Sequence, residues 1–149
     1  MQAFRICLSN YAGSLVASGR AARWNPNDVS MIYTAESRSL ACLENVVHRS
    51  QFGLNSAFQV MTIEIPDDLP IASIPLKSLP ENWFSFENMS YTQELGENWV
   101  RNEKTALLKV PSSIISAESN FLLNPNHADF KFIKLLKSEP FVFDKRIKL

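Results

Sequence analysis

The chain has 149 residues, 46% of them hydrophobic, with ten Phe, three Trp and three Tyr, which is the composition of one folded domain with a sizeable core. Its formal net charge is zero, so no overall field draws it toward nucleic acid or a membrane surface. Two cysteines are too few for a disulfide framework, and no apolar run approaches the ~20 residues of a membrane helix. We therefore expect a soluble cytoplasmic protein without a signal peptide.

The N-terminal half of the chain predicts three strands and one helix. Residues 2–8 alternate apolar and polar side chains and predict a strand with one face open to solvent, followed by a loop as far as Asp28. Residues 29–34 predict a second strand and residues 36–50 an amphipathic helix. Residues 58–65 have the strongest strand pattern in the chain.

The C-terminal half predicts shorter elements. Residues 66–91 contain four prolines and predict loop or short edge strands, and residues 92–102 predict a helix that Gly96 weakens. Further strands are predicted at 106–110, 120–123 and 140–147. Many short strands with two or three helices, and without regular βα alternation, favour an α+β fold with a mixed sheet over a doubly wound one.

Glu44 is the residue that folding explains least. At ~100° per helical residue it falls between Leu40 and Val47, inside the apolar stripe of the predicted helix. A carboxylate in that position must be paired, hydrogen-bonded or turned toward a pocket, because an isolated buried charge is very costly. Helix geometry alone leaves a functional carboxylate and a structural one equally open, the structural one being either a buried ion pair, for example with an arginine, or a position at the edge of the stripe that reaches water.

Arg23 and Tyr33, together with Glu44, suit an anionic ligand that carries a ribose, and Ser112 and Arg5 are two further polar residues with structural alternatives. Arg23 offers a planar fork for phosphate or carboxylate, although a surface arginine or a partner for Glu44 is the commoner use. Tyr33 lies near a strand end and either lines a cleft or fills the core with its hydroxyl tied to backbone. Ser112 caps a turn or places a hydroxyl in a site. For Arg5, a solvent-facing strand is a sufficient explanation.

Several other chemistries are disfavoured by the pattern. The four glycines form neither a dinucleotide-binding fingerprint nor a phosphate-binding loop. Glu44 and His48 stand four residues apart, but no second pair of ligands supports a metal site. Cys42 points roughly opposite Glu44 on the predicted helix, which disfavours a Cys–His nucleophile. The C-terminal lysines resemble ordinary surface, so no direct contact with nucleic acid is expected.

Six segments follow one another along nearly the whole chain: Arg23-Trp24-Asn25, "IYTAES" at 32–37, "ACLE" at 41–44 followed by His48, "VPSSII" at 110–115, "NFLLNPNHADF" at 120–130 and "FVFDKRI" at 141–147. Together, and in this order, they resemble the RES-domain toxins of bacterial toxin–antitoxin pairs. The resemblance implies a single RES domain over residues 1–149. It also implies an ADP-ribosyltransferase-like fold, a compact mixed sheet with a few flanking helices.

The resemblance implies an enzyme that degrades NAD, its substrate, by cleaving the nicotinamide–ribose bond through hydrolysis or phosphorolysis, and so arrests growth without a metal. Glu44 would stabilise the oxocarbenium-like transition state. Arg23, together with Arg5, would hold the pyrophosphate or nicotinamide side. Tyr33 would stack on or hydrogen-bond the nicotinamide nucleoside, and Ser112 would orient the ribose.

The resemblance also implies a partner, a cognate antitoxin with an Xre-type helix-turn-helix domain. Two alternatives stay open: a protein ADP-ribosyltransferase that uses the same NAD site, and a catalytically weak homologue that still binds antitoxin. The second rests on Ala21-Ala22, which stand where the family has two glycines. If that turn needs a positive φ or a close approach to the ligand, alanine would strain it, unless Gly19 takes over the turn.

Overall fold

The computed structural model describes residues 1–48 and 57–147, so the predicted end of the first helix at 49–50 lies outside the described residues. The strands are β1 (Gln2–Leu8), β2 (Ile32–Ala35), β3 (Phe58–Glu64), β4 (Ile71–Ser73), β5 (Leu107–Pro111), β6 (Ser119–Leu123) and β7 (Lys134–Phe141). The helices are α1 (Arg38–Val47) and α2 (Met89–Asn102), with short 3-10 turns between the elements. Within these described residues, no helix combines the length and the apolar character needed to cross a bilayer.

The strands form one seven-stranded sheet in the order β4-β5-β6-β2-β1-β3-β7. Only β4 and β5 pair in parallel, and the other neighbours are antiparallel. The proline-rich segment 66–91 supplies the short edge strand β4, as predicted. The α+β class and the mixed sheet predicted from the sequence are therefore confirmed.

Both helices pack on the same face of the sheet. Paired residues of neighbouring strands share a face, and the pairs Phe4–Ala35 and Tyr33–Leu122 connect the strands beneath α1 with those beneath α2. The α1 cluster contains Phe4, Ile6, Ala35, Leu40 and Ala41, and the α2 cluster contains Trp24, Trp99, Leu108, Val110 and Leu122. The opposite face is covered by loops instead, over Ala3, Cys7, Ile32 and Met61 among others. Two helices side by side on one face leave a cleft between them.

Three expectations about the first elements are wrong. Strand β1 is internal and buries residues of both faces, so a solvent-facing strand is not the reason for Arg5. Helix α1 buries Leu40 and Ala41, whereas Val47 is 56% exposed and lies outside the apolar stripe. Strand β2 begins at Ile32, three residues later than its apolar sequence suggests.

The last strand was also placed wrongly by its sequence. Strand β7 runs over Lys134–Phe141, and the predicted segment 140–147 contributes only its first two residues. The strand occupies a sheet edge and buries none of its residues fully, so its sequence lacks the apolar pattern by which a strand is recognised. Phe143 instead leaves the sheet and packs edge-on against Phe58 at 5.0 Å between ring centroids. Phe143 therefore belongs to the core outside the sheet, whereas Val142 is 84% exposed.

Candidate active site

A cleft of about 680 Å³ opens between α1, the loop at residues 21–24, the start of α2 and the strands beneath them. Its volume lies within the range of small-molecule binding sites. The lining residues are Phe4, Arg5, Ile6, Ala21, Ala22, Arg23, Trp24, Tyr33, Thr34, Ala35, Ala41, Glu44, Asn45, His48, Met89, Ser113 and Asn120. Four of the five predicted site residues, namely Arg5, Arg23, Tyr33 and Glu44, thus meet at one cavity.

Glu44 projects from α1 into the cleft and is held by three side chains. Asn120 Nδ2 and Ser112 Oγ donate to its Oε1 at 2.7 and 2.9 Å, and His48 Nε2 lies 3.6 Å from its Oε2. Burial works to raise the pKa of Glu44, but the hydrogen bonds from His48, Asn120 and Ser112 outweigh it and hold the pKa below its ordinary value. The carboxylate is therefore ionised at neutral pH.

Ser112 is completely buried and is not among the residues that line the cleft. Its hydroxyl donates to Glu44 and accepts from the backbone N–H groups of Ile114 and Ile115, both at 3.1 Å. These contacts use its one donor and both of its acceptor positions. The structure thus places Ser112 behind the carboxylate and joins the two sequence interpretations, since the same hydroxyl caps a turn and supports the site.

Tyr33 connects strand β2 to the Arg23-Trp24-Asn25 loop. The Trp24 N–H donates to the Tyr33 hydroxyl at 3.0 Å, and the hydroxyl donates to Asn25 Oδ1 at 2.6 Å. A hydroxyl tied to backbone was one alternative predicted from the sequence, and the Tyr33 oxygen does accept a hydrogen bond from a backbone N–H. Burial raises the pKa of Tyr33 well above its ordinary value, so the phenol stays neutral. The ring still lines the cleft and offers its face to a ligand.

Asn25 closes the same loop from inside. Its side chain is 1% exposed, and its Nδ2 points at the carbonyl oxygens of Arg20, Pro26 and Val29 at 2.9 to 3.1 Å. A buried amide with its donors and its acceptor engaged fixes the loop in one conformation. Arg23, two residues earlier in this loop, therefore has its backbone held in a fixed position.

Helix α2 clamps the outer side of this loop. Thr92 Oγ1 donates to the Arg23 carbonyl at 2.6 Å, and Gln93 Nε2 donates to the Ala22 carbonyl at 2.9 Å. A Cβ built on Gly96 would lie 1.7 Å from the Trp24 carbonyl oxygen, so only glycine allows this approach. The glycine that weakens the helix in sequence terms is the residue that lets the helix touch the loop.

The guanidinium of Arg23 is only partly used by the protein. Its Nη1 donates to the Ser85 carbonyl at 3.4 Å, and its Nε is buried without a hydrogen-bond partner. Within the described chain, the ion pair that Glu44 makes is with His48, so the alternative in which Arg23 pairs with Glu44 is not the one that the structure shows. Burial lowers the pKa of Arg23, and the charge of Glu44 opposes that effect. Arg23 remains a cation with donors to offer a ligand.

The side chain of Arg5 is directed away from the helices that flank the cleft. Strand alternation puts its side chain on the face of Ala3 and Cys7, away from the helices, and its Nη1 donates to the Val16 carbonyl at 3.0 Å. Burial lowers its pKa. Arg5 borders the cleft, and its predicted contact with a ligand stays a prediction.

The Ala21-Ala22 pair is not strained. Among the described non-glycine residues, only Asp28 and Glu103 have a positive φ, and Gly19 has a φ of 71°. The turn therefore does use Gly19, as its position in the sequence allowed. Both alanines line the cleft.

Sequence reasoning missed two site residues, Asn45 and Asn120. Asn120 lies on β6 and faces Glu44 across 76 residues of chain, and Asn45 follows Glu44 on α1 and donates to the Ile6 carbonyl at 2.7 Å. Asn120 belongs to one of the segments that resemble the RES family, which was the one available signal. Among residues 1–48 and 57–147, no group of three or more His, Cys, Asp or Glu side chains is placed to hold a metal ion.

The fold is similar to that of a solved toxin–antitoxin protein. A chain of the crystal structure of the M. tuberculosis MbcT-MbcA toxin-antitoxin complex superposes with a TM-score of 0.77 over 95% of this chain and 84% of that one, at 16% identity. Residues 3–144 match the family described as the RES domain.

Two curated relatives are similar to this chain in sequence. The "Prs ADP-ribosylating toxin" of Sphingobium sp. is 38% identical over 91% of this chain and 84% of its own length. The "Toxin Res" of Yersinia enterocolitica is 34% identical over 99% of this chain and 100% of its own length. The chain belongs to the RES-domain family, and these relatives place it among toxins.

Proposed function

We propose that this chain is the toxin of a toxin–antitoxin pair and that it cleaves the nicotinamide–ribose bond of NAD. The observation that carries the proposal is Glu44, a carboxylate kept ionised by three side chains at the wall of a nucleotide-sized cleft. Breaking the bond leaves positive charge on the ribose carbon, and a fixed carboxylate beside it stabilises that charge. Because Ser112, Asn120 and His48 hold the carboxylate in advance, little reorganisation is needed during the reaction.

The other residues suit the rest of the substrate. Arg23, with an unpartnered Nε and donors at the cleft, would bind the pyrophosphate. The ring of Tyr33 would stack against the nicotinamide, since its hydroxyl is already engaged. Ser112 would act through Glu44 as a positioning residue instead of touching the ribose, because its side chain is fully buried. Arg5 would add positive charge behind the cleft.

The acceptor of the ADP-ribosyl group distinguishes two versions of the reaction. With water the products are ADP-ribose, nicotinamide and a proton, and with phosphate they are ADP-ribose 1″-phosphate and nicotinamide. Transfer to a protein side chain is the second candidate function, and the name of the Sphingobium relative, an ADP-ribosylating toxin, favours it. All versions share the same first bond cleavage and therefore the same need for Glu44.

An antitoxin partner is part of the proposal. The M. tuberculosis chain of similar fold comes from a toxin–antitoxin complex, and the family resemblance adds an Xre-type helix-turn-helix partner. In this account the antitoxin supplies the contact with DNA and the toxin works on NAD in the cytoplasm. Growth arrest on expression, relieved by a co-expressed partner, would support this assignment.

The experiment is to follow adenine-labelled NAD with the purified chain, with and without phosphate and with added cell proteins. Free ADP-ribose indicates hydrolysis, its phosphate ester indicates phosphorolysis, and label on a protein band indicates transfer. Glu44→Gln keeps the size of the side chain and removes its charge, so all three products should disappear. Glu94→Gln, at an exposed position of α2, is the matched control and should behave as wild type. Unchanged NAD loss in Glu44→Gln would overturn the proposal.

A further inference from the structure

Three buried side-chain polar atoms in the described chain have no hydrogen-bond partner, and the three residues that carry them line the same cleft. They are Arg23 Nε, Asn45 Oδ1 and Asn120 Oδ1. Buried polar groups are almost always paired, so three orphans at one cavity indicate groups that a bound molecule completes. Two of the three are acceptors and one is a donor, which restricts the chemistry of that molecule.

The orientation of the Asn120 amide is fixed by its partner. Its Nδ2 lies 2.7 Å from Glu44 Oε1, and a carboxylate can only accept. The nitrogen must therefore face Glu44, and Oδ1 is the atom left without a partner. The same reasoning orients Asn45, whose Nδ2 donates to the Ile6 carbonyl. The α1 side of the cleft thus presents acceptors, and the ligand group that lies there must be a donor.

The acceptors at Glu44 and Asn120 belong to one group of contacts. Nδ2 and Oδ1 of one amide are separated by two covalent bonds, so the Asn120 acceptor lies within a few ångströms of the carboxylate oxygen that its nitrogen contacts. Two adjacent acceptors match two adjacent donors, the arrangement of a vicinal diol. A pyrophosphate offers only acceptor oxygens at neutral pH and would be repelled here, whereas the unpartnered donor of Arg23 suits it.

We propose that Asn120 determines specificity together with Glu44, with the two residues sharing the hydroxyl pair of the nicotinamide ribose; this rests on the proposed NAD cleavage. Glu44 accepts from one hydroxyl and Asn120 Oδ1 accepts from the other. A substrate that lacks the second hydroxyl leaves Asn120 Oδ1 buried and unpaired. Such a substrate should be disfavoured by about 10- to 100-fold in kcat/KM.

The test is a cycle of two enzymes and three substrates. Wild type and Asn120→Ala are assayed on NAD and on two analogues that lack either the 2′ or the 3′ hydroxyl of the nicotinamide ribose. Asn120→Ala should lose about 10- to 100-fold on NAD and on one analogue, but no more than about threefold on the analogue without the contacted hydroxyl. Asn98→Ala, an exposed change of the same type on α2, should lose nothing.

An equal loss of Asn120→Ala on all three substrates would overturn the proposal, because Asn120 would then act only by positioning Glu44. If Asn120→Ala does not fold, Asn120→Ser takes its place in the cycle. The serine hydroxyl keeps a short donor near Glu44 but does not reach the diol. A wild type that releases no nicotinamide would count against the proposed cleavage. Dissociation constants of the same three nucleotides, measured by calorimetry, would then decide the ribose assignment by the same comparison.

Discussion

Replacing Ser112 by alanine should destabilise the protein through three hydrogen bonds at once. The hydroxyl donates to the Glu44 carboxylate at 2.9 Å and accepts from the N–H groups of Ile114 and Ile115 at 3.1 Å. A hydrogen bond to a charged group contributes about 1.5–3 kcal/mol, and loss of a backbone-capping hydroxyl costs about 0.5–2 kcal/mol. Ser112→Ala should therefore lower the free energy of unfolding by about 2–5 kcal/mol at pH 7, a large part of the stability of an ordinary domain.

The loss should depend on pH because one of the partners titrates. Although burial opposes it, hydrogen bonding from His48, Asn120 and Ser112 lowers the pKa of Glu44 in the folded chain. A carboxylate with a lowered pKa stabilises the fold above the unfolded glutamate pKa of about 4.3, and this stabilisation disappears as the pH falls through the folded value. Ser112→Ala removes one of the three supports, so the pKa of Glu44 rises and the difference from wild type shrinks in acid.

The assay is urea unfolding of wild type and Ser112→Ala at pH 7 and in acid, with the pKa of Glu44 followed by carbon NMR. Ser116→Ala, at an exposed position in the same segment, is the control and should stay within about 0.5 kcal/mol of wild type. If Ser112→Ala were equally stable and left the pKa of Glu44 unchanged, Ser112 would not support the carboxylate. The reasoning about the ionised site would then fail.

Three further substitutions test how the cleft is built. Gly96→Ala places a Cβ 1.7 Å from a backbone oxygen and should cost about 3 kcal/mol or more in urea unfolding, whereas Gly13→Ala meets nothing within 4 Å and should be nearly neutral. Equal effects would contradict the close approach. Tyr33→Phe loses both hydrogen bonds of its hydroxyl and should raise KM for NAD more than it lowers kcat; an unchanged KM would mean that the loop does not need them. Gly-Gly in place of Ala21 and Ala22 should lower the free energy of unfolding by about 0.5–1 kcal/mol per residue without raising activity, and a large gain in NAD cleavage would contradict the relaxed turn.

The sequence predicted the elements whose side chains alternate toward a core. Strands β1 and β3 were placed within a residue because apolar residues recur at every second position on at least one face. Strand β7 was missed because an edge strand buries little, and Lys134 and Lys137 break any apolar pattern. Val47 was assigned to the buried stripe because helical spacing shows which residues share a face but not how far the partner surface extends.

The site residues that could be recognised from the sequence were those with a local signal. Glu44 was identified because a carboxylate within an apolar stripe conflicts with folding, and Arg23 and Tyr33 because their chemistry suits a nucleotide. Ser112 was recognised by resemblance, but its place behind Glu44 depends on a contact across 68 residues of chain. Asn120 gave no signal of its own, since its role rests on one amide facing a carboxylate 76 residues away. Such long-range pairs have no periodicity for a sequence to display.

The most direct test of the account is nicotinamide release from NAD by the purified chain, beside Glu44→Gln with its folding verified by circular dichroism. The account predicts release by wild type and at least about a hundredfold less by the variant, because the charge that stabilises the oxocarbenium-like state is gone. Equal release by both proteins, or none from a folded wild type supplied with water, phosphate and protein acceptors, would contradict the assignment of Glu44 and the proposed reaction.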